Sequence, residues 1–97
     1  MERNVNIALQ VLPKSETKKA YDLVDVAIKV IQESGLKYRV CPFETVIEGP
    51  YDKIISLVEK VQEVCYKAGA DEMLVYLKIQ TRKNSDVTIE DKMAKYD

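Results

Sequence analysis

The 97-residue chain has no histidine, no tryptophan, two cysteines and three glycines. Without histidine it lacks the commonest general base and the commonest metal ligand. Cys41 and Cys65 show no CxxC spacing and cannot build a zinc site without carboxylate help. They read as small packing residues in a reducing compartment, so a cytoplasmic location is expected, with no metal and no cofactor. Charge of either sign is not in excess: fifteen basic and sixteen acidic residues leave a net charge of −1. That balance argues against a nucleic-acid partner, which calls for a basic face. It also keeps repulsion between identical subunits low. Apolar runs are too short to span a bilayer, and the polar start Met1–Asn4 leads into no apolar signal segment, so no membrane partner is expected.

What the chain does have is a composition suited to one modest core, 46% hydrophobic against 32% charged. A single domain over residues 1–97 is expected. A domain of this length buries only about 60–70% of its unfolded surface, so self-association would add stability.

The periodicity alternates between two types. Asn6–Leu12 has period two, with Ile7, Leu9 and Val11 on one side, and Pro13 is expected to end this strand. Lys14–Thr17 is polar, with Ser15 or Thr17 as a possible helix N-cap. From Lys18 to Ser34 the period is helical, with a stripe of Ala20, Val24, Ala27, Ile28 and Ile31 widened by Leu23, Val26 and Val30; Gly35 stands where a left-handed stop is expected. Leu36–Cys41 and Thr45–Glu48 form a hairpin across Pro42-Phe43-Glu44. Pro50 suits a first helical position. Ile54, Leu57, Val58, Val61, Val64 (or Cys65) and Ala68 make a second stripe, which Gly69 closes. Glu72–Thr81 is the longest strand, with Met73, Val75, Leu77 and Ile79 as its apolar side. Thr88 and Asp91 resemble a capping box for a short terminal helix with Ile89, Met93 and Tyr96 on one side.

The order strand, helix, strand, strand, helix, strand predicts an α+β, ferredoxin-like βαββαβ sandwich: a four-stranded antiparallel sheet with two helices on one face, plus the short C-terminal helix. The other sheet face, carrying Ala8, Gln10, Leu12, Leu74 and Tyr76 beside Lys78 and Gln80, is expected to be bare in a monomer and covered by a second subunit. The fold alone selects no function. Of the aromatics that base stacking needs only Tyr76 is in place, and a CxxC pair after the first strand, a glycine-rich phosphate cradle with an arginine and nucleotide-binding glycine motifs are missing.

The informative segment is Tyr38-Arg39-Val40-Cys41-Pro42-Phe43-Glu44-Thr45-Val46-Ile47-Glu48-Gly49. Its pattern Y-x-V-x-P-x-x-T-x-x-E-G resembles the hairpin of the thiamine-binding, YkoF-like and YqgV-like family of small ferredoxin-like proteins. The first strand, IALQVLP, and the closing segment from Thr88 to Tyr96 look like that family's ends. The first loop, Pro13–Glu16, departs from it in lacking a glycine. The resemblance implies no catalysis, sheet-to-sheet homodimers that pair into homotetramers, and binding of thiamine or its hydroxymethylpyrimidine moiety near subunit contacts. It carries over Gln10, Tyr38, Phe43, Thr45 and Glu48 as ligand-binding candidates.

Chemistry is compatible with that implication. Thiamine has a permanently cationic thiazolium ring and an aminopyrimidine with donor and acceptor edges. Tyr38 or Phe43 could stack, Glu44 or Glu48 could meet charge, and Thr45 or Gln10 could hydrogen-bond. Each has a plainer reading. Tyr38 would pack at the core edge, Thr45 would be a β-branched strand residue, and Gln10 would bond across a subunit interface. Glu48 would sit at the N-terminus of the helix that follows. Two other classes stand beside the binding protein: a module that only builds a homo-oligomer, and a small enzyme using Glu48 or Glu44 as base. The last has no recognisable nucleophile or partner group behind it.

Overall fold

A computed structural model describes residues 3–97; of the polar start Met1–Asn4, Met1 and Glu2 lie outside the described residues. The elements are β1 (Asn4–Lys14), α1 (Ala20–Gln32), β2 (Lys37–Val40), β3 (Thr45–Pro50), α2 (Tyr51–Lys67), β4 (Glu72–Gln80) and α3 (Ile89–Met93), which runs on into a 3-10 turn, Ala94–Tyr96. The strands form one antiparallel sheet in the order β2-β3-β1-β4, the expected ferredoxin-like arrangement.

Odd-numbered residues of β1 face the helices. Val5, Ile7 and Leu9 are buried there with Ile47 of β3, Leu23, Ala27 and Ile31 of α1, and Ile54, Leu57, Val58, Val61 and Cys65 of α2. The α1 stripe is therefore centred on Leu23 at i, i+4, i+8 spacing. Ala20 is exposed, and Val24 and Ile28 flank the stripe. In α2 it is Cys65 rather than Val64 that faces inward. Its thiol donates to Leu23 O at 3.6 Å, and burial raises its pKa.

Several expectations are corrected. Pro13 does not end β1: it stays paired with Met73, on an edge where its missing N–H removes no strand bond. Neither Ser15 nor Thr17 caps α1, whose N-cap is Lys19. Ser15 Oγ instead accepts from the Thr17 and Lys18 N–H groups and donates to Gly69 O at 2.7 Å, tying two turns together. Pro50 is the N-cap of α2, not its first residue. Gly35 and Gly69 take the positive φ expected after each helix, +81° and +118°. Leu77 and Ile79 are 37% and 45% exposed although they lie on the helix side. The helices pack over β1, β2 and β3, and β4 is an edge strand beyond them.

The sheet face away from the helices is only half bare. The segment from Val87 to Asp97 crosses it like a strap. Val87 is fully buried and Ile89 nearly so, while Tyr96, expected on the packing side, is 70% exposed. Leu12, Leu74 and Tyr76 remain uncovered at the other end of that face.

Candidate ligand-binding site

The β2–β3 hairpin turns through Pro42 and Phe43, closed by a bond from Cys41 N–H to Glu44 O at 2.9 Å. Pairing of β3 with β1 stops at Leu9–Thr45, whereas β1 continues to Lys14 against β4. The hairpin tip thus stands away from β1 and leaves a slot of about 140 Å³ at the end of β3. Gln10 and Val11 form one wall, Val24, Ala27 and Ile28 of α1 the apolar roof, and the hairpin from Val40 to Thr45 the opposite wall.

Three of the five candidates expected from sequence come together here: Gln10, Phe43 and Thr45 all line the slot. Thr45 is 5% exposed and Phe43, at the mouth, is 82% exposed. Among the described residues the Thr45 hydroxyl makes no hydrogen bond, and Thr45 lines the slot. Glu44 also lines the slot, with its carboxylate 3.7 Å from Lys78 Nζ across the sheet.

Tyr38 and Glu48 lie elsewhere. Tyr38 pairs with Ile47 on the helix side of the edge strand β2, outside the slot's lining. Glu48 is on the strap side: its Oε1 accepts the Ile89 N–H at 2.6 Å and lies 3.5 Å from Asn6 Nδ2. The helix N-terminus it serves is that of α3, not of the helix that follows it in sequence. Thr88 Oγ accepts from Asp91 N–H at 3.1 Å, so the expected half of a capping box is present. Asn6 donates to Val87 O at 3.1 Å, and its Oδ1 is buried without a partner. Since both groups facing Nδ2 are acceptors, turning the amide over would lose those bonds.

A second, more apolar cavity of about 200 Å³ lies under the strap between Val46, Ile89 and Met93. Its charged groups are already engaged. Arg39 makes two bonds to Asp97 at 2.8 and 2.9 Å, and Lys92 Nζ lies 2.8 Å from Gln80 Oε1. Burial and nearby Arg82 lower the Lys92 pKa against the pull of Glu48. The slot differs in holding a free hydroxyl and an exposed aromatic. Sequence reasoning missed Val24 and Ile28 as its roof because helical spacing alone assigns them to the core. The signal present was their position on the flank, not the centre, of the stripe.

A family model for thiamine-binding proteins matches residues 7–97. The chain belongs to the thiamine-binding protein family. A UPF0045 protein of Clostridium perfringens is 38% identical over 91 residues, covering 94% of this chain and 95% of the relative. Among solved structures, a Bacillus cereus DUF77 domain of unknown function superposes with a TM-score of 0.93 at 39% identity, over 98% of this chain and 91% of the other. A Thermotoga maritima protein, a candidate thiamine biosynthesis/salvage protein, gives 0.87 at 29% identity over 97% and 99%.

Proposed function

We propose that the chain is a non-enzymatic binding protein for thiamine or its hydroxymethylpyrimidine half, working in the cytoplasm as a homo-oligomer. The observation that carries the reading is the slot beside Thr45. A cavity of about 150 Å³ takes a single six-membered ring, and the slot measures about 140 Å³. One ring of a two-ring vitamin fits inside, and the remainder extends past Phe43. A ligand of that size normally fills about 300 Å³ or more, so the outer part needs a further wall. A second subunit supplies one, because Phe43, Leu12, Leu74 and Tyr76 are exposed. Gln10 and Thr45 orient the inner ring by hydrogen bonds, and Phe43 offers its face to the cationic ring. Tyr38 and Glu48 act through the hairpin and the strap rather than by contact.

Isothermal titration with thiamine and with hydroxymethylpyrimidine tests this. Saturable binding of both is expected, at one ligand per chain or one per two chains. Thr45→Ala should weaken it about 2–10-fold, the worth of one hydrogen bond. Flat traces would overturn the reading. The uncovered half of the sheet favours one other reading, a scaffold that only assembles copies of itself. It predicts a stable oligomer whose melting temperature ignores both compounds.

A further inference from the structure

We infer that the backbone of Val11, rather than a side chain, is the principal recognition edge of the slot. The ligand it reads is a planar heteroaromatic ring with adjacent acceptor and donor atoms, as in a 4-aminopyrimidine. The inference rests on the proposed function and adds the atoms that would give it selectivity.

The argument comes from strand register. Residues of an antiparallel strand turn their N–H and C=O alternately to either neighbour. Asn4 stands opposite Pro50, but its N–H donates to Asp86 Oδ1 and its C=O accepts the Val87 N–H, so that pair is not a hydrogen-bonded one. The hydrogen-bonded pairs between β1 and β3 are therefore Val5–Gly49, Ile7–Ile47 and Leu9–Thr45. At the far end Lys14 C=O accepts the Asp71 N–H, which agrees: even-numbered residues of β1 face β4. Val11 is the next odd residue after Leu9, and no residue of β3 stands opposite it. Its N–H and C=O point side by side past the end of β3, and Val11 lines the slot.

That edge is one residue long. The next odd residue is Pro13, which cannot donate. A peptide strand adding here would find a single N–H and C=O pair and no continuation. A small ring that accepts from the N–H at a ring nitrogen and donates an exocyclic amino proton to the C=O satisfies both groups at once. Paired this way, the ring lies in the plane of the sheet, with Val24 and Ile28 against one face. Thr45 reaches it from the opposite wall. Backbone groups left bare in an apolar setting are costly, so both gain partners when the ring arrives.

The test is a titration of the nitrogen-15-labelled protein with hydroxymethylpyrimidine, following backbone amides by NMR, beside calorimetry with the same compound. At saturation the Val11 amide should move downfield and exchange more slowly, while the Leu9 amide, already bonded to Thr45, should change little. The analogue lacking the 4-amino group should bind roughly tenfold more weakly. Saturable binding with the Val11 amide unmoved, or an analogue that binds equally well, would overturn this inference and leave the slot as the binding site. Absence of calorimetric binding would overturn the proposed function and this inference together.

Discussion

The two halves of β1 share one alternating pattern and meet opposite fates. From Asn6 to Leu9 the strand is paired on both edges, and Asn6, Ile7 and Leu9 are buried, the odd residues under the helices and Asn6 under the strap. From Gln10 to Lys14 it pairs only with β4, and Leu12 is 41% exposed. The hairpin turn at Pro42-Phe43 makes the difference, because it ends β3 opposite Leu9. The finished half supplies rigidity, and the unfinished half supplies groups that still need partners. A binding site placed at the end of a short strand next to a well-packed one is held by the packing yet remains open.

Substitution should break this contrast most strongly in the finished half. Ile7→Ala removes a fully buried side chain. It is expected to cost about 2–5 kcal/mol in urea unfolding. Leu12→Ala, five residues on, should cost far less in dilute solution. If a second copy covers that end of the sheet, its cost should instead depend on protein concentration. Equal losses at both positions, independent of concentration, would show that the two halves are not energetically distinct.

The strap is the next contrast, since it covers one end of the face and leaves the other open. Glu48→Ala takes the acceptor from the Ile89 N–H. A charge-assisted bond of this kind contributes about 1.5–3 kcal/mol. The loss should be local: hydrogen exchange at Ile89 and Asp91 should quicken while the amides of β1 and β4 stay protected. Uniform quickening across the sheet would instead make the strap part of the global core.

How much of this was legible in the sequence follows from the range of the interactions. The order of elements, the sheet and both helix stops could be read, because periodicity and glycine positions are local signals. Leu77 and Ile79 alternate as regularly as Ile7 and Leu9, yet alternation does not say which strand is at the edge, and β4 is. Glu48 was legible as a polar residue beside a helix start, but the helix lies 41 residues away rather than next in sequence. Gln10, Phe43 and Thr45 are 33 or more positions apart or at a turn tip, and a hairpin motif rather than a periodicity pointed to them. Val11 could not be found from side-chain chemistry at all, since what it offers is backbone left over by register.

The smallest expected effect concerns the far end of the strap, where Asp97 holds Arg39 on β2. The hydrogen bond from Arg39 lowers the Asp97 pKa below its ordinary value of 3.8, and the Arg39 pKa is raised in return. Arginine stays charged throughout, so only the carboxylate titrates in the accessible range. A lowered folded-state pKa means stabilisation that is present above the unfolded value and lost as pH falls through the folded one. Strap protection should therefore hold constant from neutral pH down to the ordinary aspartate range and decline only below it. Both groups are solvent-screened, so the change belongs to the fraying of the last turn and not to the fold. NMR titration of the Met93–Asp97 amides would show it. In Asp97→Asn the same amides should start less protected and lose the part of the acid dependence that Asp97 supplies. An unchanged acid profile in that variant would mean that another carboxylate, not Asp97, fastens the strap.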